Sequence, residues 1–294
     1  MLRIYFAGMT AALIASALAA TAQAQQPTPP MFATTKVTDN VYIFRYGGHQ
    51  SMFIVTPDGV IATDPIGERR PAAKAYIEEI QKVTKAPIKY VIYSHSHFDH
   101  IAGGQPFKDL GAVFVAHRNA KARITALKPA DVVVPDQEVD GKSNIMLGDT
   151  TLELNYVGKN HSDSTLVMRL PKEKIVFTVD WIPIQGVQFR GMADTYVPDI
   201  EEGLKTVIAM DWGTLIPGHP GPGGKQTGTK DNARDQLAYL QDLSSAVKQA
   251  VSENKSYADA QKEIKLPKYE GWPNYNAFLP MNIERYFDFW NRGI

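Results

Sequence analysis

Three of the seven histidines in this 294-residue chain fall within one hexapeptide, His95-Ser96-His97-Phe98-Asp99-His100. Imidazole and carboxylate side chains are ligands for divalent metal ions, and a cluster this dense points to metal chemistry before any other. An apolar run at 88–93 precedes it, so the ligands emerge where a strand ends. In an extended segment residues i and i+2 point the same way, which lets His95 and His97 grip one ion. The chain then turns into Ile101-Ala102-Gly103-Gly104, and that turn can aim Asp99 and His100 at a second ion. Water bound to such an ion ionises near pH ~7, and the ion polarises a carbonyl or phosphoryl oxygen. Hydrolysis then needs no Ser-His-Asp triad.

The rest of the composition limits the alternatives. With no cysteine, disulfides, thiolate metal sites and cysteine nucleophiles are excluded. Lys+Arg and Asp+Glu both number 31, giving zero net charge, and no basic run is present. Nothing therefore recruits nucleic acid or an anionic membrane. Arg3, the apolar stretch 11–20 and the small residues Ala22-Gln23-Ala24 have the pattern of a secretory signal. The expectation is a signal peptide over 1–24 cleaved after Ala24, a flexible mature N-terminus over 25–36, and a periplasmic or secreted protein. The apolar run is short and Ala-rich for an anchor, and no second membrane-length span follows. The mature chain is expected to be free of the membrane.

β-type runs recur at 41–45, 52–55, 60–63, 88–93, 113–116, 151–156, 165–170 and 175–179, several bounded by turn signals such as Pro57-Asp58-Gly59. Helical stretches interleave. After Pro71, the residues Tyr76, Ile80 and Val83 make one apolar face. Longer helices are expected near 232–252 and 282–290. This order, without repeats, indicates a layered α/β protein. A single domain over 37–294 is expected, with a helical, aromatic-rich C-terminal part from about residue 230.

The pattern His-x-His-x-Asp-His after a strand resembles the metallo-β-lactamase superfamily. Further landmarks follow in the family's order: His161 in Gly158-Lys159-Asn160-His161-Ser162, Asp180 after Ile175-Val176-Phe177-Thr178-Val179, and His219 in Ile216-Pro217-Gly218-His219-Pro220-Gly221. Asp64, after Gly59-Val60-Ile61-Ala62-Thr63, matches a structural aspartate of that fold. The resemblance covers roughly 37–225. It implies an αββα sandwich: two mixed β-sheets face to face, helices outside, the site at one edge. It also implies two divalent metal ions, zinc above all, with manganese or iron also suited to nitrogen and oxygen ligands. His95, His97 and His161 would hold the first ion and Asp99, His100 and His219 the second, with Asp180 bridging; Asp99 could also handle a proton. A metal-bound hydroxide would then cleave a small-molecule carbonyl substrate.

Within the superfamily, the stretch from His161-Ser162-Asp163-Ser164-Thr165 resembles the zinc β-lactamases, but three positions depart from them. Those enzymes have a cysteine where Asp180 stands, a lysine at Pro183 and an asparagine at Thr165. An aspartate bridge resembles lactonases and glyoxalase II-like thioesterases instead. The expected function is hydrolysis of a lactone, thioester or activated ester or amide. β-Lactam hydrolysis is the alternative, and a noncatalytic binding protein on the same fold is the rival of a different class. Asp64, His49, Thr165 and Trp272 are candidates to support the ligands or touch substrate, and His117 is expected to be structural. Oligomeric state is open.

Overall fold

The computed structural model describes residues 30–68 and 70–294. The signal-peptide expectation lies outside the described residues. One compact unit spans Met31–Ile294.

Two sheets form its centre. The first contains β1 (Phe32–Lys36), β2 (Val41–Tyr46), β3 (His49–Thr56), β4 (Gly59–Thr63), β5 (Ile88–Ile92), β6 (Val113–His117) and β7 (Gln137–Val139), in that order. It is antiparallel as far as β4 and parallel from there on. The second runs β12 (Thr214–Pro217), β11 (Ile175–Thr178), β10 (Leu166–Leu170), β9 (Thr150–Tyr156) and β8 (Lys142–Leu147), with only the β11–β12 pair parallel.

Period-two alternation decides which side chains go where. In β2 and β3, Val41, Ile43, Met52 and Ile54 meet Leu152, Leu154, Leu166, Met168 and Phe177 of the second sheet, and this is the inter-sheet core. Phe44 and Phe53 point the other way, onto Tyr76 of helix α1 (Ala72–Val83). Tyr76 and Ile80 are buried as the helical spacing requires, while Val83, at the end of the helix, is partly exposed. On the outer face of the second sheet, Val167, Val176 and Leu215 pack beneath the C-terminal helical layer. With helices on both outer faces, the architecture is an αββα sandwich, as the resemblance implied.

The remaining helices are α2 (Phe98–Ile101), α3 (Gln105–Asp109), α4 (Arg118–Leu127), α5 (Val197–Ala209), α6 (Lys230–Ser252), α7 (Tyr257–Glu263) and α8 (Tyr275–Arg292). A capping box between Thr229 and Asn232 starts α6. Tyr239, Leu243 and Val247 of α6 and Leu279, Ile283 and Tyr286 of α8 are buried in the outer core of the second sheet.

The N-terminal expectation needs one correction. Residues 32–36, taken as flexible, form β1, paired along its whole length with β2. Phe32 anchors it, with its ring stacked 6.1 Å from Tyr46. The other residues of that strand are small or polar, so alternation gives no signal there.

Candidate metal centre

The site collects at the carboxyl ends of strands, the edge where open α/β sheets commonly bind ligands. Leaving β5, Ser94 donates its backbone N–H to Asp64 Oδ1 at 2.8 Å, and Asp64 N–H bonds back to Ile92 O at 3.1 Å. The chain bends through Ser94, His95 and Ser96 and is extended again at His97, the N-cap residue of α2. The short α2 turn then presents Asp99 and His100. It closes because Gly103 adopts φ +79° and passes against Gly67, so closely that a Cβ on Gly67 would sit 2.6 Å from the Gly103 Cα. His161 comes from the β9–β10 connection, Asp180 from just beyond β11, and His219 from just beyond β12. Gly218 is what lets β12 approach: a Cβ there would lie 2.8 Å from Asp180 Oδ1 and 2.6 Å from Val179.

All seven residues that the resemblance implied as ligands converge. His95, His97, His161 and Asp180 each offer one ligand atom within 4.8 Å of the others, and Asp99, His100, His219 and His49 form a second such group. Asp180 stands between them. Its Oδ2 is 3.0 Å from His100 Nε2, 3.6 Å from His161 Nε2 and 3.8 Å from His95 Nε2, while Oδ1 is 3.0 Å from His219 Nε2. Ligand atoms around a tetrahedral ion with bonds of ~2.0–2.1 Å lie roughly 3.3–3.5 Å apart, so this spacing suits bound ions. His95 Nε2, His100 Nε2 and Asp180 Oδ1 are buried, and none completes a hydrogen bond of good geometry. A buried polar atom left so costs about 1–3 kcal/mol. Cations that take these lone pairs remove that cost, and the donor set fits them.

Charge is arranged accordingly. Burial, with His97 and His161 nearby, holds the His95 imidazole well below its usual range, and burial lowers His161 to about 4. Both are neutral near pH 7, the form that ligates metal. Burial also opposes charge on His100, but Asp180, Asp99 and Asp64 outweigh it and raise that group to about 9. Burial would lift Asp180 too, yet His100 and His219 hold it well below the carboxylate range. Asp99 and Asp180 thus stay ionised and draw positive charge into the centre, and on His100 that charge is a proton that a cation must displace before the ring can ligate.

The supporting candidates occupy distinct places. Asp64 is fully buried, caps Ser94 and lies 4.0 Å from His100 Nδ1, so it braces the ligand strand. His49 reaches the second group, with Nε2 3.2 Å from Asp99 Oδ2 and its ring 4.4 Å from that of His219. Thr165 is buried, and its Oγ1 accepts the backbone N–H of Ser162, shaping the turn that follows His161. Trp272, half-buried, packs edge-on against Tyr269 at the border of the C-terminal core, and the contacts it makes there are packing contacts. His117 is buried, stacks on Tyr156 at 4.3 Å and caps α4, a structural role.

Two residues at the centre have no motif around them and escape sequence reasoning. Arg70 donates to Asp99 O at 3.2 Å and lies 3.3 Å from His49 Nε2. Asp194 Oδ2 lies 2.8 Å from His97 Nε2. Only their distance from the cluster in sequence hid them.

Comparison with known proteins agrees with this geometry. The sequence model of the metallo-beta-lactamase superfamily matches residues 45–219, more than half of the chain. The α subunit of 2,4-dinitroanisole O-demethylase from Nocardioides sp. (strain JS1661) is 24 % identical over 198 residues, 65 % of this chain and 58 % of that one. A type 2 metallo-beta-lactamase from Bacillus cereus is 26 % identical over 56 % of this chain and 64 % of its own length. The chain thus spans about three-fifths of these relatives. Among solved structures, a metallo-beta-lactamase from Pontibacter korlensis superposes with a TM-score of 0.61 at 20 % identity, over 71 % of this chain and 99 % of that one. A stereoselective inverting sec-alkylsulfatase from Pseudomonas sp. superposes at 0.70 and 16 % identity, over 87 % of this chain and 50 % of that one. By the match over residues 45–219 and the ligand cluster within it, this chain belongs to the metallo-β-lactamase superfamily.

Proposed function

We propose that the chain is an exported dinuclear hydrolase that opens a lactone, thioester or activated ester. The observation that carries this reading is the position of Asp180, whose two oxygens face histidines of both ligand groups at 3.0–3.8 Å. A carboxylate between two sets of imidazoles is what a pair of cations needs as a bridge. When bound, the ions supply Lewis acidity and a water ionised near neutral pH. Zinc suits the donors, and Asp180, being an oxygen ligand, lets manganese or iron compete.

The chain's own groups do the rest. His95, His97 and His161 would hold one ion, with Asp99, His100 and His219 holding the other. Arg70 fixes the Asp99 backbone. The His49–Asp99 contact at 3.2 Å offers a route by which a proton can pass between the carboxylate and the imidazole beside it. The retention of every ligand argues against a noncatalytic binding role.

β-Lactam hydrolysis is the second reading, and one observation favours it. Pro183 stands where the resembling β-lactamases have a lysine, but Arg70 brings a guanidinium to the second ligand group from another part of the chain. A panel of lactones, thioesters, esters and β-lactams, assayed with metal-reconstituted protein, separates the readings. The expected result is turnover of a carbonyl substrate outside the β-lactams. No turnover of any of them would refute the proposal.

A further inference from the structure

We infer that Asp194 is the positioning residue for His97, and that the C-terminal helices hold it in place. The inference rests on reading His97 as a metal ligand. The ring of His97 is engaged at both nitrogens: Nε2 lies 2.8 Å from Asp194 Oδ2, and Nδ1 lies 3.1 Å from His161 Nε2. A carboxylate opposite Nε2 keeps the proton there. The Nδ1 lone pair is then left facing His161 and His95, the orientation a ligand requires. The side chain of His97 is about one-third exposed, at 34 %, so packing alone does not fix its ring. His95, fully buried, has no such need.

Asp194 lies 97 residues from His97, in the irregular stretch 181–196 between β11 and α5. That stretch has few backbone hydrogen bonds of its own. Side chains of the last helices replace them. Asn282 Nδ2 donates to Gln188 O at 3.1 Å and to Arg190 O at 2.6 Å. Gln236 Nε2 donates to Gly186 O at 2.6 Å. Arg285 donates through two nitrogens to the carbonyl of Thr195, the residue next to Asp194, at 2.9 and 2.6 Å. From the opposite side Arg123 on α4, paired with Asp163 at 2.9 and 3.0 Å, adds attraction for the Asp194 carboxylate. The segment from α6 onward, outside the span of the family match, thus reaches the first ligand group through one carboxylate.

The competing account is a surface ion pair with no consequence for the site. Metal binding distinguishes the two. Mature wild-type chain, Asp194→Ala and Asp194→Asn are stripped of metal and titrated with Zn²⁺ against a chromophoric chelator. Each is then titrated with Co²⁺ while its visible absorption is recorded. Removal of a carboxylate that orients a ligating histidine weakens binding by about 10- to 100-fold. The expected result is a loss of that size for one ion in Asp194→Ala, with an altered cobalt spectrum. The other ion should be unaffected. Asp194→Asn, whose amide oxygen still accepts the Nε2 proton, should recover most of the affinity. Asp194→Ala binding both ions as tightly as wild type, with an unchanged cobalt spectrum, overturns the inference alone. A wild-type chain that takes up no ion overturns the metal-site reading and this inference with it.

Discussion

Asp180 is the residue through which both halves of the site communicate, so its removal should damage more than the loss of any one histidine. Asp180→Ala should retain at most one ion per chain after gel filtration, as measured by elemental analysis, and should fall at least as far in activity as His161→Ala. Two ions retained at full affinity would rule out a bridge. Asp64 sits one layer further out and its effect is on stability. Asp64→Ala leaves the Ser94 N–H buried without an acceptor, a cost of about 1–3 kcal/mol that urea unfolding should detect. Burial raises the Asp64 carboxyl to about 6, although His100 and Ser94 pull it down. An acid raised above its unfolded value of roughly 3.9 binds protons more tightly when folded, so its contribution to stability falls as pH rises from about 4 through 6. In metal-free protein the fall should be present in wild type and absent in Asp64→Asn. At this scale the sequence was informative, because ligation demands specific residue types at short spacing. His95, His97, Asp99 and His100 were legible from four nearly adjacent letters. Arg70 and Asp194 were not, since a guanidinium or a carboxylate at the surface carries no signal until the fold brings it to a partner.

Among the elements, the strands that bury both faces were the easiest to read. β4 and β11 are short runs of buried residues, each followed closely by an aspartate of the site. Edge strands were not, because β1, β7 and β8 expose one side to solvent and carry threonine, lysine, glutamate and asparagine. Helix α5 was missed for another reason: Gly203 within it weakens the helical reading, although Pro198 stands in the first turn, where proline is accommodated. Gly203 is there because Trp181 and Val157 O approach so closely that a Cβ would lie 3.0–3.3 Å from them. The same kind of close approach makes Gly218 a test of how β12 and β11 set the site. Gly218→Ala would push a methyl group to 2.8 Å from Asp180 Oδ1, so the carboxylate or the strand end must shift. The variant should fold, yet lose metal affinity and most activity; wild-type affinity would show that Asp180 can move freely. For the C-terminal layer, Asn282→Ala removes two donors to the 181–196 stretch and an acceptor for Tyr239 OH. It should destabilise the chain by about 1–3 kcal/mol and accelerate amide exchange in that stretch specifically. Uniform exchange throughout the molecule would refute the clamp.

For the whole molecule, the two sheets bring ligands from four separate segments to one edge, and substrate choice is left to what surrounds that edge. The described helices include none long and apolar enough to cross a membrane. The export proposal thus rests on residues 1–24, and intact mass of periplasmic protein should show a chain beginning at Gln25. Substrate choice is the more demanding question. A dinuclear centre can open many acyl bonds, so selectivity depends on groups that recognise the remainder of the substrate. A β-lactam places a carboxylate beside its scissile ring and gains from a cation there. The lysine of the resembling β-lactamases is Pro183 here, and loss of a charge-assisted hydrogen bond costs about 1.5–3 kcal/mol, roughly ten- to a hundredfold. Arg70 is the cation that could offset this, but its guanidinium already serves Asp99 O and faces His49. If those contacts occupy it, penicillins and carbapenems should be poor substrates, with kcat/KM below that of the best lactone, thioester or ester. Arg70→Ala should then lower activity on neutral and anionic substrates alike, because Asp99 loses its support. If instead Arg70→Ala impairs β-lactam turnover selectively, and wild-type kcat/KM is highest for a β-lactam, Arg70 has taken over the role of the missing lysine and the chain is a β-lactamase.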